Sequence, residues 1–230
     1  MSGPVLPRAA RERLIVALDL PGSREAVEMA RRLDDSVLWV KVGLELFCSA
    51  GPAVVEELAR SGKRVFLDLK FHDIPNTVAG AVRAAARLPI GLVDIHASAG
   101  LKAMEEAARA QGERDDLGVL AVTRLTSAAD GPGDFDDVRR LAEAAVQAGL
   151  FGVVCPAAAS SVLRDRYGDR LARVVPGIRP SGVAAHDQIH VATPEGAVRS
   201  GAHWIVVGRA ITQADDPAAA ARQIIASLEV

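Results

Sequence analysis

The stretch RVFLDL, residues 64–69, is continuous in large apolar and aromatic residues from Val65 until Asp68, and this is the pattern of a strand buried on both faces. Seven further runs of the same kind surround it: LIVALD (14–19), VLWVKVG (37–43), LVDIHA (92–97), LGVLAVT (117–123), FGVVC (151–155), ARVVPG (172–177) and WIVVG (204–208). Stretches with helical spacing lie between them, among them SREAVEMARRL (23–33), AVVEELARSG (53–62), DDVRRLAEAAVQAG (136–149) and TPEGAVRSG (193–201). Several end at glycine, and Ser23 and Thr193 are candidate N-caps. Strand then helix, repeated about eight times, predicts an α/β chain built on a parallel sheet. The count and the length of 230 residues favour a closed (β/α)8 TIM barrel as a single domain over residues 1–230. An open doubly wound sheet would leave the same local pattern, but no G-x-G-x-x-G follows the first strand. GPGD (131–134) reads as a turn-rich loop, not a linker.

Bulk composition narrows the partners. Lys plus Arg is 27 against 29 for Asp plus Glu, a net charge of −2, which argues against nucleic acid as a partner. No apolar stretch approaches the roughly 18 residues of a membrane span. Cys48 and Cys155 have no metal-ligand spacing and follow no secretion signal. The expectation is a cytoplasmic protein with both thiols packed, acting on a small molecule.

The chemistry is written where charges interrupt apolar strands. Asp19 closes the first run, Lys41 stands near the end of the second, and Asp68 and Lys70 end the third. In a parallel barrel these ends converge on the active-site face. A set of structural salt bridges is the plain alternative. Asp68 and Lys70, however, are two apart and so share a strand face, and Asp73 follows at once in FLDLKFHDIPNT (66–77). Two unit charges about 4 Å apart interact by roughly 4 kcal/mol at an effective dielectric near 20. Flanking carboxylates therefore favour an ammonium at Lys70, an acid and not a Schiff-base nucleophile. Such a group suits a reaction in which negative charge develops on carbon and is then protonated. No pyridoxal, flavin or thiamin motif is present, so no cofactor is expected.

The last two strands are each followed by glycine and arginine together, in VVPGIRPSG (174–182) and VVGRAIT (206–212). Barrel enzymes often bind phosphate in these loops. Gly208 would allow close backbone approach and Arg209 a bidentate contact. His72 follows its strand out of register with Asp68 and Lys70 and reads as structural; His96 is ambiguous, and Trp39 and Trp204 read as core.

Asp68, Lys70 and Asp73 form an Asp-x-Lys-x-x-Asp signature that Ile74, Pro75, Asn76 and Thr77 extend as DIPNT, and with it the chain resembles the orotidine 5′-phosphate decarboxylase family. The likeness continues through ALD at Asp19, KVG at Lys41, HAS at His96, LTS at Thr126, PGIR at Arg179, DQ at Gln188 and VVGR at Arg209. Two departures, Ala99 where many relatives have glycine and His190 where arginine is common, fall outside the charge cluster. The resemblance implies a metal-free, cofactor-independent conversion of orotidine 5′-monophosphate to uridine 5′-monophosphate in pyrimidine biosynthesis. On it, Lys70 would protonate C6 as carbon dioxide leaves, and Asp68 would lie near the departing carboxylate. Asp19 and Lys41 would contact the ribose, with Lys41 also in the catalytic charge chain. Asp73 would enter the neighbouring site across a homodimer interface, with Ile74, Pro75 and Thr77 in the same substrate-binding segment. Thr126 would sit by the base, and Arg179, Gln188, Gly208 and Arg209 would hold the phosphate. Two other readings stay open: a magnesium-dependent sugar-phosphate enzyme sharing the signature, such as 3-keto-gulonate-6-phosphate decarboxylase or hexulose-phosphate synthase, and a non-catalytic phosphate-ligand barrel.

Overall fold

The computed structural model describes residues 3–124, 134–180 and 192–229; Thr126, Gln188 and His190 lie outside them. Eight parallel strands form a closed barrel in chain order: β1 (Leu14–Ala17), β2 (Trp39–Val42), β3 (Arg64–Phe71), β4 (Leu92–His96), β5 (Gly118–Val122), β6 (Gly152–Val154), β7 (Ala172–Val175) and β8 (Trp204–Val207). Closure is carried by β8 pairing with β1 through Leu14↔Ile205, Ile15↔Val206 and Val16↔Val207. All eight apolar runs are strands, and closure excludes the open sheet.

Their continuous apolar character follows from having two cores to serve. Alternate side chains face outward to helices such as Ser23–Arg32, which buries Ala26, Val27, Met29 and Ala30. The others fill the barrel: Ile15, Trp39, Phe66, Leu92, Leu120, Phe151 and Trp204 pack together, with the Trp39 and Trp204 rings edge to face at 5.9 Å. The interior is plugged by these side chains, and a cavity opens at the strands' C-terminal mouth.

Thr193 is an N-cap, accepting the Gly196 N–H at 3.2 Å. Ser23 is not: Gly22 holds that position, Ser23 is the first helical residue, and its hydroxyl turns to Glu57 at 3.3 Å. The helix Asp134–Gln147 starts two residues before the expected 136, absorbing the end of the GPGD turn. Cys155 is buried as expected, and burial pushes its thiol up to about 12. Cys48 is exposed on the helix Leu44–Ala50, because only Leu46 of that short helix turns inward.

Candidate active site

β3 departs from regular geometry where its charges begin. Phe66 and Leu67 pair with Leu92 and Val93, and pairing resumes only at Phe71↔Ile95. Three residues of β3, Asp68 to Lys70, thus stand opposite the single residue Asp94, forming a bulge. Lys70 takes up the turn with φ 48°, a left-handed conformation that costs a non-glycine residue of order 1–3 kcal/mol. Its backbone N–H, displaced from the ladder, donates to Asp94 Oδ1 at 2.8 Å.

The side chains form an alternating series along the mouth. Lys41 Nζ lies 2.7 Å from Asp19 Oδ1 and 3.2 Å from Asp68 Oδ2, and Lys70 Nζ bonds Asp68 Oδ1. Asp68 is therefore shared by two ammonium groups, one oxygen each. Burial would raise its pKa, but the charges of Lys41 and Lys70 outweigh burial and hold it below the usual carboxylate range. At Lys41 burial likewise opposes the charge, and Asp68 and Asp19 prevail, raising it above an ordinary lysine. Asp94, fully buried, is driven the other way: burial first, then the neighbouring Asp68 charge, push its pKa well above that of an ordinary aspartate.

These residues line a cavity of about 570 Å³. Across the barrel from β3, Arg179 follows β7 and Gly208 and Arg209 follow β8; Arg124 joins them from the end of β5. Gly177, at φ 74°, turns the chain after β7 so that Arg179 N–H donates to Ala192 O at 3.0 Å, and the Arg179 side chain is buried at the wall. Among the described residues, the lining brings together five cationic side chains, Lys41, Lys70, Arg124, Arg179 and Arg209, and three acidic ones, Asp19, Asp68 and Asp94.

Of the residues singled out in the sequence, Asp19, Lys41, Asp68, Lys70, Arg179, Gly208 and Arg209 line this one cavity. Asp73, Ile74, Pro75 and Thr77 do not line it. The expected flanking of Lys70 by two carboxylates is therefore corrected within one chain: Asp68 reaches it, whereas Asp73 is exposed and accepts from the Ile74 N–H at 2.6 Å. β3 ends at Phe71, and Asp73 stands in the loop beyond it. Pro75 opens the helix Pro75–Ala85, where a missing N–H costs nothing. His72 and His96 stack edge to face at 5.4 Å and share the Ser98 hydroxyl, at 3.1 and 2.6 Å. Burial, with the charges of His72 and Lys70, lowers the His96 pKa.

Sequence reasoning passed over three positions. Asp94 interrupts the apolar run LVDIH, the same signal that marked Asp68, but lies inside the run and not at its end. Arg124 follows a strand as Arg209 does. Gly43 leaves the space in which Asp19 and Lys41 meet: a Cβ there would stand 2.9 Å from both Asp19 Oδ1 and Lys41 Nζ.

Comparison with known proteins gives a consistent picture. The profile of the orotidine 5′-phosphate decarboxylase / HUMPS family matches residues 12–224. The orotidine 5′-phosphate decarboxylase of Alkalilimnicola ehrlichii is 49% identical over 221 residues, covering 92% of this chain and 94% of the relative. That of Halorhodospira halophila is 47% identical over 226 residues, covering 94% and 95%. Among solved structures, the orotidine 5′-phosphate decarboxylase of Lactobacillus acidophilus superimposes with a TM-score of 0.82 at 36% identity, covering 94% of this chain and 99% of that one.

Proposed function

Since the chain belongs to the orotidine 5′-phosphate decarboxylase / HUMPS family, we infer that it is an orotidine 5′-phosphate decarboxylase, converting orotidine 5′-monophosphate to uridine 5′-monophosphate and carbon dioxide in pyrimidine biosynthesis. The observation that carries this reading is one carboxylate, Asp68, held ionised between two ammonium groups at the mouth of a cationic cavity.

The substrate carries a phosphate and a carboxylate, and the lysines and arginines that line the cavity suit such an anion. Arg179 and Arg209, with the Gly208 backbone, hold the phosphate, and Gln188 joins them; Thr126 sits by the base. Asp19 and Lys41 meet the ribose. The substrate carboxylate then lies by Asp68 and Lys70. As the bond from C6 to the carboxylate breaks, carbon dioxide departs and the electron pair stays on C6. Lys70 Nζ–H supplies the proton to that carbon, and solvent later returns one to the amine. Lys41 and Lys70 stabilise the developing negative charge from fixed positions, without reorganisation during the reaction. Phosphate contacts remote from C6 contribute binding energy to the chemical step.

Asp73 completes the charge series in the site of a second copy, as part of a homodimer. Its exposure, and the exposed apolar Ile74 beside it at 66%, support a subunit contact at that segment. Ile74, Pro75 and Thr77 contribute to the substrate site from the same edge. No helix among the described residues is long and apolar enough to cross a membrane, in keeping with a cytoplasmic enzyme.

The direct test is incubation with orotidine 5′-monophosphate while following the ultraviolet change to uridine 5′-monophosphate. Turnover that survives a chelator is expected. A folded protein that leaves this substrate untouched, or that turns over a sugar phosphate only with magnesium, would overturn the assignment.

A further inference from the structure

We propose that Asp94 is a positioning residue for the reaction: from beneath the charge series it fixes both the main chain of Lys70 and the carboxylate of Asp68, and so sets the direction in which the Lys70 ammonium faces the substrate. The proposal rests on the decarboxylase reading above and adds a residue to it.

The bulge makes this residue necessary. Between Leu67 and Phe71 the β3–β4 ladder is interrupted, and the Lys70 N–H loses a main-chain partner. Asp94 Oδ1 replaces it at 2.8 Å, which retains Lys70 at φ 48°. Without that bond the turn at Lys70 is free to relax, and the direction of its side chain is no longer fixed. The second oxygen, Asp94 Oδ2, is fully buried and finds no donor, which would be costly for an ionised carboxylate. Its neighbour is Asp68, whose carboxylate is among the groups that raise the Asp94 pKa.

Two neighbouring buried carboxylates do not both ionise. Asp68 has Lys41 and Lys70 as ion-pair partners, whereas among the described residues Asp94 has none. The proton therefore resides on Asp94, its Oδ2–H donates to Asp68, and the orphaned oxygen is accounted for. Asp94 thus works as a neutral clamp with one acceptor and one donor, not as a further charge in the series.

This distinction gives a sharp test. Asp94→Asn keeps an acceptor for the Lys70 N–H and a donor for Asp68, and carries no charge at any pH. We expect its kcat to stay within about threefold of the parent, with the same pH profile. Asp94→Ala keeps neither contact; its kcat should fall roughly 10–100-fold from misorientation, with KM for orotidine 5′-monophosphate little changed, since the arginines are untouched. Hydrogen exchange at the Lys70 amide should be slow in the parent and in the Asn variant, and faster in the Ala variant. The amide readout applies whatever the substrate, and stands if Asp94→Ala is too unstable to assay, because the Asn variant and the parent still compare. A kcat for Asp94→Asn reduced as far as that of Asp94→Ala, or loss of Lys70 amide protection in Asp94→Asn, would overturn the clamp. Absence of parent turnover would instead count against the assigned reaction.

Discussion

Lys41 and Lys63 are each 8% exposed and stand at opposite ends of the barrel, yet burial has opposite outcomes for them. Lys63, before β3, donates to the carbonyls of Val37, at 2.8 Å, and of Asp34; burial outweighs the acidic neighbours, and its pKa falls. Lys41, late in β2, meets Asp19 and Asp68, and its pKa rises despite burial. Arg173 in β7 follows the pattern of Lys63, with Nε on Gly201 O at 2.7 Å and Nη1 on Gly168 O and Leu171 O at 2.7 and 2.8 Å. A buried cation consumed by main-chain carbonyls staples loops together. A buried cation balanced by carboxylates beside a cavity is held charged, with an anionic ligand within reach.

The largest effect should come from the mouth. Lys70→Ala is expected to lower kcat by about 10⁴-fold, the upper range for loss of a general acid, with a melting temperature close to the parent's. Retained turnover of orotidine 5′-monophosphate would place Lys70 with the staples. The mirror experiment is Arg173→Met at the other end. It strips three carbonyls of their donor and should destabilise the fold by about 3–5 kcal/mol, read by denaturant unfolding, while kcat/KM per folded molecule holds. A loss of kcat/KM with stability intact would erase the contrast.

The staple end also carries a pH signature. His203 accepts the Arg173 N–H through Nδ1 at 3.1 Å, and its Nε2 lies 3.2 Å from Asp169 Oδ1, so the fold requires the neutral ring. Burial, then the Arg173 charge, lower its pKa from 6.5 to about 4. A histidine depressed in the folded state contributes stability that is fully present above its unfolded pKa and is lost as pH falls toward the folded value. Between pH 6.5 and 4 this amounts to on the order of 3 kcal/mol. His203→Asn keeps an acceptor for the Arg173 N–H but does not titrate. It should therefore lose less stability than the parent over that interval, and equal losses would remove His203 as the cause.

The same contrast explains what could be read from the chain. The eight strands were legible because a strand covered on both faces is a continuous apolar run, and Asp19, Lys41, Asp68 and Lys70 stood out as charges at the ends of such runs. Asp94 did not, since its role depends on the register shift between β3 and β4, a property of two distant segments. Nor did adjacency in sequence reveal that Asp73 leaves the Lys70 neighbourhood, because β3 ends at Phe71 and Asp73 lies in the exposed loop beyond it. The staples are harder still: nothing local distinguishes Arg173 in ARVV from a site arginine until the carbonyls of Gly168 and Gly201 are brought around it.

The smallest expected effect is also the most selective. Gly43 has φ −94° and ψ −175°, a conformation open to alanine, so Gly43→Ala introduces no backbone strain. Among the described residues, the added Cβ would approach Asp19 Oδ1 and Lys41 Nζ, both at 2.9 Å, and both are tips of side chains that can move aside. For the fold that movement is cheap, and stability should change by less than about 1 kcal/mol. For the site it is not, because it opens the first pair of the series and frees Lys41 to shift from Asp68. We expect kcat/KM to fall roughly tenfold, a modest misplacement effect, with an unchanged unfolding midpoint. Were kcat/KM to hold instead, the Asp19–Lys41 pair would belong with Lys63 and Arg173 as a structural tie, and the functional series would begin at Asp68.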